Sequence, residues 1–157
     1  MFKYRTDYLR KKIMEQKIAH LQMIQAIITR LGQNSFLVKG WSVGLISALF
    51  ALSASNTKIF FILLAYFPAI AFWFLDSYFL HQERLFRKLY DHVRNLDNKD
   101  IDFSMNTQIG ERNTQIVESH VASLIKVAFS KTLLLFHGTL CFSIFFVMQI
   151  LSIFAKS

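Results

Sequence analysis

The chain has 157 residues, 54% of them hydrophobic and 15% aromatic, with 17 Phe and a formal net charge of +8. That is too apolar for an ordinary soluble domain of this size, and the excess is gathered into three stretches without a fixed charge, Gly40–Thr57, Ile59–Leu75 and Thr132–Ala155. With so much of the chain committed there, little is left for a separate catalytic domain, and Cys141, the sole cysteine, excludes an intrachain disulfide and a thiolate metal cluster.

Residues 1–39 come first, with eight basic residues against Asp7 and Glu15, a local charge of +6. The spacing predicts a helix over about Asp7 to Leu31, with Leu21, Ile24, Ile28 and Leu31 on one stripe. Gly32-Gln33-Asn34 supplies stop signals, and Asn34 or Ser35 is placed to cap the helix that follows. The stripe has to be covered by the bilayer surface, by other helices of the chain or by the same helix of a neighbouring subunit. Lys17 lies in line with it and limits any coiled coil to about two heptads. The first thirty residues carry seven basic groups and no continuous apolar core, so no signal peptide is expected and the first apolar stretch reads as an uncleaved anchor. The basic arm suits anionic lipid, at about 1 kcal/mol per cation, and equally a polyanionic partner.

The three uncharged stretches contain 18, 17 and 24 residues. At about 1.5 Å per residue they reach roughly 27, 26 and 36 Å, against a hydrocarbon core of about 30 Å. Backbone groups in lipid must be satisfied internally, so all three are expected to be helical spans. In the first, Gly40, Gly44 and Ala48 recur every fourth residue, a small-residue stripe suited to helix packing within the chain or between subunits. The short turn at Ser55–Lys58 makes the first two spans an antiparallel hairpin. Pro68, the only proline, is expected to bend the second.

Beyond Asp76 the helical pattern continues through Phe79, Leu85, Phe86, Leu89, Val93 and Leu96. Asn95–Asn113 is polar and contains Gly110, a loop composition. After Asn113 or Thr114 as a cap, Ile116, Val117, Val121, Leu124, Ile125 and Ala128 predict a return helix into the third span. The expected fold is thus an all-α membrane protein with three transmembrane helices and amphipathic cytoplasmic helices, oligomeric because three short stripes make a thin core alone. Its parts are the arm 1–39, the hairpin 40–80, the cytoplasmic segment 81–131 and the third span with the C-terminus, 132–157. Eight Lys and Arg precede the first span and eight lie between the second and third, while Lys58 and Lys156 stand alone elsewhere. The N-terminus and Glu83–Lys131 are therefore expected in the cytoplasm, with the Ser55–Lys58 turn and the C-terminus outside.

Asp76 ends an apolar run, and acids in that position are usually functional. A carboxylate paired with Lys39 or with a neighbouring subunit is expected ahead of an ion-conducting role. His137, about two turns into the third span, is expected to be a hydrogen-bonded packing residue ahead of a proton sensor or pore lining. Thr132, Phe136, His137, Thr139 and Ser143 are the pore or gate candidates, by their weakly polar and aromatic alternation. Interhelical hydrogen bonding is the competing role for the hydroxyls. His20, His81, His92, His120 and His137 form no metal-ligand motif, and Asp97, Asp100 and Asp102 lack the rest of a calcium loop. Neither a phosphate-binding Gly loop nor a nucleophile elbow is present. No metal and no cofactor are expected, and an enzyme is the least favoured class.

Arg84, Arg87 and Lys88 fall at i, i+3 and i+4, one helix face that repetition around an oligomer axis would turn into a basic ring. With Tyr90, Arg94 and Lys39 they form the candidate set for a polyanion, guanidinium groups suiting phosphates and an aromatic suiting unstacked bases. A solvated face balanced by Glu83 and Asp91 is the alternative for a single subunit.

The segments Asn34-Ser35-Phe36-Leu37-Val38-Lys39-Gly40-Trp41-Ser42 and Leu75-Asp76-Ser77-Tyr78-Phe79-Leu80-His81-Gln82-Glu83-Arg84-Leu85-Phe86-Arg87-Lys88-Leu89-Tyr90 resemble those of small bacterial membrane effectors from Hailong-type antiviral defence systems. The resemblance covers roughly residues 15–95. It implies a location in the bacterial inner membrane, a tetrameric channel, and a nucleotidyltransferase-like enzyme whose short single-stranded DNA holds the channel closed until the oligomer is removed. The alternatives are a non-conducting membrane adaptor that recruits a soluble partner through its N-terminal arm, and a holin-like pore without a ligand.

Overall fold

A computed structural model describes residues 2–56, 59–98, 100–107 and 123–154, and contains no strand among them. Four helices follow in order: α1 Phe2–Asn56, α2 Ile59–Asn95, α3 Leu124–Ala128 and α4 Lys131–Phe154. Three of them, α1, α2 and α4, are long and apolar enough to cross a membrane. The chain divides into two compact units, one made of Met1–Gly32 with Gln82–Val121 and the other of Gln33–His81 with Ala122–Ser157.

The first unit explains where the stripe of the N-terminal arm goes. Ile24 and Ile28 of α1 are buried against Leu89 and Val93 of α2, with Leu21, Phe86, Tyr90 and Met105 packed around them. Of the three possible covers, the chain's own second helix is the one used. Lys17, in line with that stripe, reaches the end of α2 and donates to the carbonyls of Arg94 (3.2 Å) and Leu96 (2.6 Å). Carbonyls at a helix C-terminus lack partners within the helix and carry partial negative charge, so a lysine there satisfies both. After α2 the chain is irregular over Leu96–Thr107. Asp102 Oδ1 accepts from the Ser104 amide (3.0 Å), and Phe103, in the left-handed region at φ 54°, sets its ring edge-on to the buried His20 at 5.7 Å. The rest of the expected loop and most of the return helix, residues 108–122, lie outside the described residues.

The second unit holds the apolar core of Ile46, Ile62, Ala65, Ala69 and Ile144, bordered by Leu49, Phe50, Tyr66, Leu140, Val147 and Leu151. Ala65 and Ala69 are one turn apart on α2 and fully covered. Small side chains there let neighbouring backbones approach, and in lipid such contacts supply the packing energy that the hydrophobic effect does not. Four hydroxyls are satisfied within their own helices: Ser42 on the Val38 carbonyl (2.9 Å), Ser77 on Trp73 (2.6 Å), Thr139 on Leu135 (2.5 Å) and Ser143 on Leu140 (2.8 Å). Back-bonding of this kind removes an unpaired donor from an apolar setting.

Two expectations are corrected. The helix does not stop at Gly32-Gln33-Asn34, because α1 runs unbroken through it. A glycine in a helix costs only about 1 kcal/mol relative to alanine, and a side chain added at Gly32 would already touch Glu83 Oε2 at 3.8 Å. Ser35 does not cap a helix; its hydroxyl is used on Asp76. The return helix also does not lead smoothly into the third span. Its described end, α3, closes at Phe129–Ser130, where the Ser130 amide turns back to the Val127 carbonyl (2.9 Å), and α4 begins at Lys131. The helix α2 passes through Pro68 and ends at Asn95, close to the Leu96 read from its stripe.

Candidate functional site

Lys39 stands 17 positions before the last residue of α1, Asn56, Asp76 stands 17 positions after the first residue of α2, Ile59, and His137 stands 17 positions before the last residue of α4, Phe154. At about 1.5 Å per residue each lies roughly 26 Å along its apolar segment, so three antiparallel neighbours bring the three side chains to one level. They meet there. Asp76 is wholly buried; its Oδ2 accepts from Lys39 Nζ at 2.6 Å and lies 2.9 Å from His137 Nε2. Its Oδ1 accepts from Ser35 Oγ at 2.5 Å and again from Lys39 Nζ at 2.8 Å. Lys39 also donates to Ser35 Oγ (2.8 Å).

Two carboxylate oxygens offer about four acceptor positions, and this centre fills all of them. Burying an ion pair is costly unless the geometry is good and the remaining hydrogen bonds are made, which is the condition met here. The Asp76 carboxylate thus has its counter-charge, the Lys39 ammonium, directly beside it. The other ring nitrogen, His137 Nδ1, is buried without a partner among the described residues. Trp73 covers the imidazole face, stacked at 5.8 Å and 6° between planes, while Phe136 meets it edge-on at 5.0 Å. Lys39 Nζ also stands 5.9 Å from the Phe136 ring centroid, close enough for a cation–π contribution. Trp73 is itself held by its indole N–H, which donates to the Ala128 carbonyl at 2.9 Å.

The residues named from the sequence are thus distributed unequally. Among the pore or gate candidates, His137 and Phe136 belong to the Asp76 centre, Ser143 is half-buried, and Thr132 and Thr139 are exposed. Among the polyanion candidates, Lys39 is engaged by Asp76, and Tyr90 packs beside Ile24 and Leu89. Arg84 is half-buried. Lys88 is exposed and makes no ion pair among the described residues. Arg87 pairs with Glu83 at 2.7 Å and Arg94 approaches Asp91 at 4.0 Å, both arginines being more than half exposed. The Arg94–Asp91 pair is exposed on both sides and worth well under about 1 kcal/mol, so the Arg94 guanidinium can be redirected to a stronger anion at little cost, whereas Glu83, only 14% exposed, holds Arg87 through two contacts. Gly40, Gly44 and Ala48 face away from the chain's own core, and a side chain added at either glycine would meet nothing within 4 Å.

Of the two expected partners for Asp76, Lys39 or a neighbouring subunit, Lys39 is in contact, whereas the parts of Ser35, Trp73 and His137 are not visible in the local pattern. The matching distance of Lys39, Asp76 and His137 from the ends of their apolar segments was the signal that joins them. No three His, Cys, Asp or Glu side chains converge as a metal site would need among the described residues. Comparison with known protein families, curated proteins and solved structures finds no match to this chain.

Proposed function

We propose that the protein is the membrane effector of an antiviral defence system, an oligomeric ion channel whose opening is controlled by a polyanion, a single-stranded DNA oligomer, bound on the cytoplasmic side. The observation that carries this reading lies on α2: the helix that bears the buried Asp76 also bears Arg87, Lys88 and Arg94, whose cations are exposed. Assembly is supported by the face of Gly40, Gly44 and Ala48, which the chain itself leaves uncovered. Four copies, as the resemblance implies, bring twelve such cations around one axis, and a bound polyanion offsets their mutual repulsion. A ligand biases gating only by binding one state more tightly than the other. Here the closed state, with the cations drawn together, is the tighter binder, and loss of the oligomer opens the channel.

Ion flux through the purified protein in liposomes tests this. Flux is expected without ligand, suppression with a short single-stranded DNA, and weaker suppression at high salt because phosphate contacts release counterions. The variant R87Q/K88Q/R94Q is expected to conduct and to need at least tenfold more oligonucleotide. Electrical silence both with and without oligonucleotide counts against a channel, and flux indifferent to oligonucleotide counts against the ligand.

The adaptor reading is favoured by one separate observation, the exposed apolar Tyr8, Met14, Ile18 and Met23 on α1. A soluble protein retained by the full chain and lost on Ile18→Glu with Met23→Glu, in liposomes that do not conduct, would establish it.

A further inference from the structure

A groove of about 220 Å³ opens between α2 and the α3 segment, lined by Ile70, Trp73 and Phe74 on one side and by Leu124, Ile125 and Phe129 on the other. Its lining is entirely apolar. The indole N–H of Trp73 is taken up by the carbonyl of Ala128, which also borders the groove. Phe74, Ile125 and Phe129 are more than 60% exposed at its rim. A dry apolar cavity of about 150 Å³ is enough to take up a small hydrocarbon, and this one is larger and open along one side. Trp73 lies less than one turn from Asp76, at the level where the apolar segments end and where tryptophan commonly marks the boundary between hydrocarbon and headgroups.

Two cations flank this groove in the chain, Lys126 within α3 and Lys131 at the first turn of α4. Both are exposed and neither makes an ion pair among the described residues. No Asp or Glu occurs anywhere from Ser123 to Ser157 or in Ile59–Leu75. A second copy applied through its apolar segments therefore brings no carboxylate to these lysines, whereas a phospholipid brings a chain and a phosphate together.

We propose that this groove binds one acyl chain of an anionic phospholipid, with Lys126 and Lys131 holding the headgroup phosphate. The site depends on the membrane spans and not on gating by a polyanion. An acyl chain in it touches Trp73, whose ring also stacks with His137, so occupancy supports the packing of the Asp76 centre.

Trp41 and Trp73 are the only tryptophans, which gives a direct readout. The full chain carrying Trp41→Phe is reconstituted in phosphatidylcholine vesicles, and Trp73 emission is followed as brominated phosphatidylglycerol or brominated phosphatidylcholine is added at the same mole fraction. A cation near the surface favours anionic lipid by about fivefold, so two predict a preference for the brominated anionic lipid of about 25-fold. Substituting Lys126→Gln and Lys131→Gln, both exposed, should abolish the preference and leave quenching equal for the two lipids. Equal quenching before the substitutions overturns the proposal, as does a preference that survives them. Absence of quenching by either lipid overturns it too, and with copies cross-linking through Ile125→Cys it assigns the groove to a second subunit.

Discussion

Replacing Lys39 by Met separates the buried carboxylate from its only fixed counter-charge among the described residues. The ammonium now makes contacts of 2.6 and 2.8 Å to the two oxygens of Asp76 and 2.8 Å to Ser35. Methionine keeps the length of the stem and removes all three. Breaking a buried pair by deleting one member costs about 3–5 kcal/mol, because the remaining charge is left uncompensated. The Lys39 side chain retains 23% exposure, which places the expected loss near the lower end, about 3 kcal/mol, a factor on the order of 100 in the folding equilibrium. Asp76→Asn preserves the shape of the side chain and removes its charge, so in the double variant methionine no longer strands an anion. The second substitution should recover about 2 kcal/mol of the loss, a coupling that the mutant cycle isolates. Helix loss during titration with a denaturing detergent, followed by circular dichroism and by Trp73 emission, measures each corner. A cost below about 1 kcal/mol for Lys39→Met, or strict additivity of the two changes, would refute the view that Asp76 is buried as a charged, paired group.

Two further substitutions address the other surfaces. Ile24 is fully buried against Leu89 and Val93, so Ile24→Ala should destabilise the first unit by about 2–5 kcal/mol; faster hydrogen exchange at the Leu89 and Val93 amides is the readout, and unchanged protection contradicts the packing described. Gly44→Leu adds a side chain where a Cβ meets nothing within 4 Å. It should leave the helical content and the Asp76 centre intact while shifting the mass of the detergent-solubilised protein towards the monomer, and an unaltered mass would remove this face from any subunit contact.

The apolar spans and the long continuation of α2 were legible because hydropathy and the 3.6-residue period are local properties. The stripe through Ile24 and Ile28 was legible as a stripe, whereas its cover was not, since the residues that bury it lie more than sixty positions away. Gly32-Gln33-Asn34 misled because local stop signals are worth about 1 kcal/mol each, less than the packing and hydrogen bonds on either side of them supply through Lys17, Ile28, Ser35 and Lys39.

Sequence by itself determined an all-helical chain with three segments able to cross a bilayer and with its charges kept to their margins, because length, hydropathy and backbone satisfaction in lipid admit no other secondary structure. Only the tertiary structure decided that Asp76 is shared between Lys39 and His137, that Gly40 and Gly44 look outward, and that Trp73 borders both a polar centre and an apolar groove. Periodicity tells which side chains occupy a common face of one helix; which faces meet depends on the relative rotation and depth of helices, and a one-residue change of register turns each face by about 100°.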